Sequence, residues 1–170
     1  MIADLKIKSI LKQYKYLINK QSVKYSELEK ITSVAVILDN EALINVIASN
    51  LLNNFPLKKE AFTFLVYSKF FISQTCSTIV FSEKDIGFKA SLKSHNLNKF
   101  VKYSFDLLIN YTKESNIFIN IITLQSQAKL KAGFAQIDDR LFDIVVYDST
   151  FNEAILNQEL KKYLVILNKI

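Results

Sequence analysis

Two aspartates sit in matched settings, in FDLLINY at 105–111 and FDIVVYD at 142–148. Each motif opens with an aromatic residue and an acid, runs through apolar residues and stops at polar ones. Asp106 and Asp143 lie 37 residues apart, so the first question is whether they do chemistry together or mark the architecture. The apolar runs that follow them read as buried strands. In parallel strands both acids stand at the amino ends, whereas ligands of open α/β sheets gather at the carboxyl ends. The twin acids are therefore read as structural, receiving loop N–H groups where the chain enters the sheet.

The opposite ends carry another set: Asp39 and Asn40, Tyr67 and Ser68, Ser82, Asn110 to Thr112, and Asp148 to Thr150. In a parallel sheet these line one crevice, where helix N-termini also offer free N–H groups to an anion. The expected ligand crevice comprises Asp39, Asn40, Ser68, Asn110, Thr112, Asp148 and Ser149, with Asp39 or Asp148 as base or cation ligand. The competing reading is local, because Asp, Asn, Ser and Thr are also what a strand-to-helix turn uses as caps.

The residues that are scarce narrow the chemistry. Gly87 and Gly133 are the only glycines, so the chain cannot build a glycine-rich phosphate cradle of the dinucleotide or P-loop kind. His95 is the only histidine and lies in a Lys/Ser/Asn-rich stretch, which reads as a solvated loop. Cys76 is the only cysteine, and its neighbours in QTCST are uncharged, which suits an inert thiol. One cysteine allows no internal disulfide, and His/Cys metal sites are excluded by count. No metal and no cofactor is expected, and no catalytic residue is assigned.

The net charge is +6, from 22 Lys+Arg against 16 Asp+Glu. Residues 1–30 hold seven lysines against Asp4, Glu27 and Glu29, a surplus of four that leaves about +2 for the rest. A basic arm on a near-neutral body points to a polyanionic partner such as RNA, DNA or an acidic membrane surface. The plainer account is composition, since Lys, Ile and Asn dominate and Arg140 is the only arginine. A second basic stretch, 84–102, interleaves Lys89, Lys93 and Lys99 with Phe88, Phe100 and Tyr103. Such a pattern can follow a nucleic-acid backbone and stack bases, or be a solubilising loop whose aromatics anchor in the core. The partner-binding set comprises Lys8, Lys12, Lys15, Lys89, Lys93 and Lys99.

These residues need elements to position them. Ile7, Ile10, Leu11, Tyr14, Leu17 and Ile18 recur at helical spacing and predict an amphipathic helix over 3–20, with Lys8, Lys12 and Lys15 on its other face. Residues 21–32 read as a connection. SVAVILD (33–39) is a buried strand, followed by a helix from Asn40 to Phe55 capped by Asp39 or Asn40 and closed by Pro56. AFTFLVYS (61–68) and STIVFS (77–82) are further strands, with KFFISQTC between them as short helix or loop. Residues 83–96 read as surface loop and LNKFVKY (97–103) as a helical turn. The β-branched density of 116–127 favours a strand, but Ser115 can cap it and parallel strands need a crossover, so it is read as helix. AKLKAGF (128–134) suits an edge strand with its lysines in water. STFNEAILNQELKKYLVIL (149–167) closes the chain as a helix capped by Ser149 or Thr150.

Strands separated by helices predict a three-layer, Rossmann-like α/β domain with a largely parallel sheet of five to six strands. The expected division is a basic N-terminal helix and connection over 1–30 and an α/β domain over 31–170. The longest apolar runs fall far short of the roughly 20 residues of a spanning helix, and the lysine-rich start lacks the pattern of a secretory signal. A cytoplasmic location is expected.

SVAVILDNE, EKDIGFKA, FDLLINYT, SQAKLKAGF and FDIVVYD, in this order and spacing, resemble a small family of cytoplasmic bacteroidete (flavobacterial) proteins known as a domain of unknown function. The resemblance covers residues 30–150 and implies a bacterial α/β protein. It carries over no catalytic residue. The function expected from the residues is a non-enzymatic binding or adaptor protein docking on RNA, a ribosome or a protein complex. The alternative is a small-ligand transferase or hydrolase using the carboxyl-end crevice, and a further possibility is self-association through the 3–20 helix.

Overall fold

A computed structural model describes residues 2–21, 30–69 and 78–170. Six strands form one sheet: β1 (Val34–Leu38), β2 (Phe62–Tyr67), β3 (Thr78–Phe81), β4 (Leu107–Asn110), β5 (Leu130–Phe134) and β6 (Ile144–Val146). Every neighbouring pair is parallel, in the order β3-β2-β1-β4-β5-β6. This is the doubly wound Rossmann-like arrangement, with its order reversing between β1 and β4. The expected fold class is the observed one.

Among the described residues, five α-helices cover the two faces: α1 (Ile2–Lys20), α2 (Ile44–Asn54), α3 (His95–Lys102), α4 (Ile117–Gln125) and α5 (Glu153–Ile166). Alternate residues of each strand point to opposite faces, which divides the core in two. Ala35, Ile37, Leu65 and Leu108 pack under α1, α3 and α4. Val34, Val36, Leu38, Leu107 and Ile109 pack under α2 and α5. The β1 run VAVIL is buried at every position because both of its faces are covered.

Residues 117–125 are helical, as the crossover requirement demanded, although Asn116 rather than Ser115 accepts the free N–H of Phe118. The cap of α5 is likewise Asn152, not Ser149 or Thr150. The stretch read as a surface loop, 83–96, sends two apolar side chains into the core. Ile86 is fully buried and Ala90 nearly so, Ile86 bridges Leu92, and His95 opens α3 as an exposed residue. Packing of α1 against Phe88–Ala90 accounts for the difference.

The segment expected at the sheet edge lies inside it. β6 pairs outside β5, so Lys131 is only 7% exposed. Its Nζ donates to the Leu124 carbonyl at the end of α4, 3.2 Å away. Cys76, most of KFFISQTC and residues 22–29 of the connection lie outside the described residues.

Candidate functional site

The basic residues come first, since tertiary structure acts on them most. Ile10, Tyr14 and Ile18 bury one stripe of α1 in the core, which leaves Lys8, Lys12 and Lys15 exposed on the outer side. This helix packs against the short turn Phe88–Ala90, where the Ser9 hydroxyl accepts the Lys89 N–H at 3.0 Å. Two basic stretches 80 residues apart in the chain thus meet where α1 packs on this turn. Lys89 and Ala90 both have positive φ, 53° and 58°, a conformation that costs non-glycine residues of order 1 kcal/mol or more each. The surroundings hold it: Ser9 takes the Lys89 N–H, and the Gln125 amide donates to the Ala90 carbonyl at 3.0 Å.

Lys89 and Lys93 are exposed on this turn and its continuation. Among the described residues, no ion pair involves Lys8, Lys12, Lys15, Lys89 or Lys93. The aromatics of the second basic stretch divide. Phe100 is core, whereas Phe88 stands 52% exposed beside Lys89. Lys99 is exposed too but stands apart, at the amino rim of the sheet with Glu60 and Tyr103.

The carboxyl-end residues are placed as follows. Asp39 and Asn40 follow β1, Ser68 follows β2, and Asn110 and Thr112 belong to the end of β4; these are adjacent strands. Asp148 and Ser149 follow β6, three strand steps from β1, about 14 Å at the usual strand spacing. Most of the set spends its polar atoms locally. Asn40 accepts the Ala42 N–H at 3.0 Å. Asn110 Oδ1 accepts both the N–H and the hydroxyl of Thr112, at 2.9 and 2.7 Å, and its amide donates to Thr123. Asn110 and Thr112 are buried.

Asp148 accepts the Asn152 N–H at 2.7 Å and the Thr150 hydroxyl at 2.7 Å, and these bonds hold its carboxyl below the usual range. Asp39 differs. The residue is exposed, but partial desolvation pushes its carboxyl up, against the pull of its own backbone N–H and of Lys113. Lys113 itself pairs with Glu153 at 2.8 Å.

The amino rim shows what the twin acids do. Asp106 Oδ2 accepts the N–H and hydroxyl of Thr32, at 2.9 and 2.8 Å, and those of Ser33, both at 3.1 Å. Lys129 Nζ completes the set at 2.7 Å from Oδ1. Burial alone would raise the Asp106 carboxyl, but the Lys129, Thr32 and Ser33 bonds outweigh it and hold it well below the usual carboxylate range. Asp143 accepts the Lys131 N–H at 2.8 Å. Asp106 ties loop N–H groups to the start of the sheet, as expected, whereas Asp143 takes a strand N–H, that of Lys131 in β5.

Beside Asp106 lies a cavity of about 480 Å³, lined among others by Thr32, Ser33, Glu60, Lys99, Phe100 and Tyr103. Its walls come from four separate stretches of chain, so no local pattern signals it. Among the described residues, no group of three or more His, Cys, Asp or Glu could hold a metal, and no helix is long and apolar enough to cross a membrane.

A family of unknown function, DUF6913, matches the chain over residues 6–167. That span takes in α1 from Lys6 onward, all six strands and the whole of α5. The chain belongs to this family. No curated protein and no solved structure matches it.

Proposed function

We propose that this member of DUF6913 is a non-enzymatic binding protein that lays its basic face on the phosphate backbone of RNA. One observation carries the reading: α1, on which Lys8, Lys12 and Lys15 are exposed, is packed on the Phe88–Ala90 turn, where Lys89 and, further on, Lys93 are exposed. Lysine is a point charge without arginine's planar fork, which suits contact with phosphates irrespective of base sequence. Phe88, exposed next to Lys89, adds a ring on which an unpaired base can stack. Lys99, which lines the cavity at the amino rim, is left out of this proposal.

The rival, a transferase or hydrolase using Asp39 and Asp148 at the carboxyl rim, has less support. Asn110, Thr112 and Asp148 already spend their polar atoms on their own backbone or on each other.

Fluorescence anisotropy with a single-stranded RNA, repeated over a series of salt concentrations, tests the proposal. Five phosphate contacts give a slope of log K against log salt of roughly −3.5. Lys8→Glu with Lys12→Glu, and separately Lys89→Glu with Lys93→Glu, each flatten that slope. Absence of salt-sensitive binding, or a slope indifferent to both double variants, overturns it.

A further inference from the structure

None of the five lysines proposed for RNA docking lines the cavity at the amino rim, and its lining has a definite chemical character. Its volume, about 480 Å³, lies within the roughly 300–1,000 Å³ of small-molecule sites. One wall is aromatic: Phe105 packs against Phe100 at 5.2 Å and against Tyr103 at 4.5 Å between ring centroids, and Ile79 extends it. Two opposite charges, Glu60 and Lys99, border the same space. Both are exposed, and among the described residues neither forms an ion pair.

The remaining polar groups decide what such a cavity takes. The hydroxyls and N–H groups of Thr32 and Ser33 are already donated to Asp106, so they are not free to hold a phosphate. Glu60 would repel an anion in any case. An organic cation alone would meet Lys99. A ligand carrying both charges satisfies both side chains, and the carbonyls ending α3, next to Tyr103, lie at the negative end of the helix and favour its ammonium.

We propose that this cavity binds a small zwitterion with an apolar body, an aromatic α-amino acid or an apolar dipeptide. Lys99 takes the carboxylate, Glu60 takes the ammonium, and the side chain lies against Phe100, Tyr103 and Phe105.

Calorimetry and NMR titration of the full chain with L-phenylalanine and L-leucyl-L-phenylalanine test this, with 3-phenylpropionate and phenethylamine as probes that keep one charge each. Binding of at least one zwitterion is expected, tighter than either single-charge probe. Lys99→Gln weakens the zwitterion and 3-phenylpropionate about tenfold and spares phenethylamine, and Glu60→Gln does the reverse, the size expected for losing one charged hydrogen bond. Tyr103→Ala weakens all of them. RNA binding stays unchanged in these variants, which separates this site from the basic face. Failure of both zwitterions to bind, phenethylamine binding as tightly as they do, or binding indifferent to both charge substitutions overturns the proposal.

Discussion

FDLLINY and FDIVVYD share a Phe-Asp opening and an apolar run, and their surroundings differ. In the first, Asp106 is 5% exposed and accepts from Thr32, Ser33 and Lys129, and Tyr111 is 1% exposed with its hydroxyl on Asn157. In the second, Asp143 is exposed and accepts the Lys131 N–H, and Tyr147 is 80% exposed. The difference is strand order. β4 lies between β1 and β5, so its ends are roofed by neighbouring loops, whereas β6 is the last strand of the sheet. The same Phe-Asp opening thus leads into a roofed inner strand in one place and into the edge strand in the other.

Substitutions in the paired motifs sharpen or break this contrast. Asp106→Asn loses the charge that Lys129 and four Thr32 and Ser33 donors share, and chemical denaturation is expected to show a loss of about 3 kcal/mol. The pH profile follows from the sign of the shift. A carboxyl held low in the folded state stabilises fully above its unfolded value of about 4, and that stabilisation disappears as pH falls below it toward the folded value. Wild-type stability should therefore drop on acidification more steeply than that of Asp106→Asn. Equal profiles would mean that Asp106 is not held as described.

Next comes the aromatic residue that opens the second motif. The Phe142 ring lies flat over Gly133, where an added Cβ would come within 2.4 Å of its Cζ. Gly133→Ala should cost about 2 kcal/mol by overpacking, and Phe142→Ala in the same chain should recover part of that loss. Tyr111→Phe strips the donor from buried Asn157, which also bonds Asn50 on α2 at 2.7 Å; about 1 kcal/mol is expected. Tyr147→Phe should change nothing measurable by the same chemical denaturation. Asp143→Asn comes last, within about 0.5 kcal/mol of wild type, because the substituted side chain still offers an oxygen to Lys131.

Much of this was legible residue by residue. The β-branched run at 34–38 and the apolar core of 107–110 announced strands, and the need for a crossover correctly made 117–125 a helix against its own β-branched content. The structural role of Asp106 followed from parallel strands alone. Lys131 was misread because alternation of Lys and apolar residues looks the same on an edge strand as on an inner strand whose lysine reaches a helix carbonyl. The 83–96 stretch was misread for a similar reason: its polar letters are exposed, but Ile86 and Ala90 are buried by a helix more than 60 residues away in the chain. Asn116 and Asn152 replaced the expected caps by only one to three positions, a small shift set by where each helix meets the sheet.

Element type is decided by neighbours a few residues apart, through periodicity, side-chain branching and capping, so the chain alone specified an α/β protein with buried parallel strands and an outward-facing basic helix. Which strand is inner, which acid is roofed, and which lysines and rings face one another depend on segments that meet only after the sheet assembles. Those contacts are set by strand order and by the burial of Ile10, Tyr14 and Ile18, and burial is a property of the whole packed core rather than of any stretch of sequence.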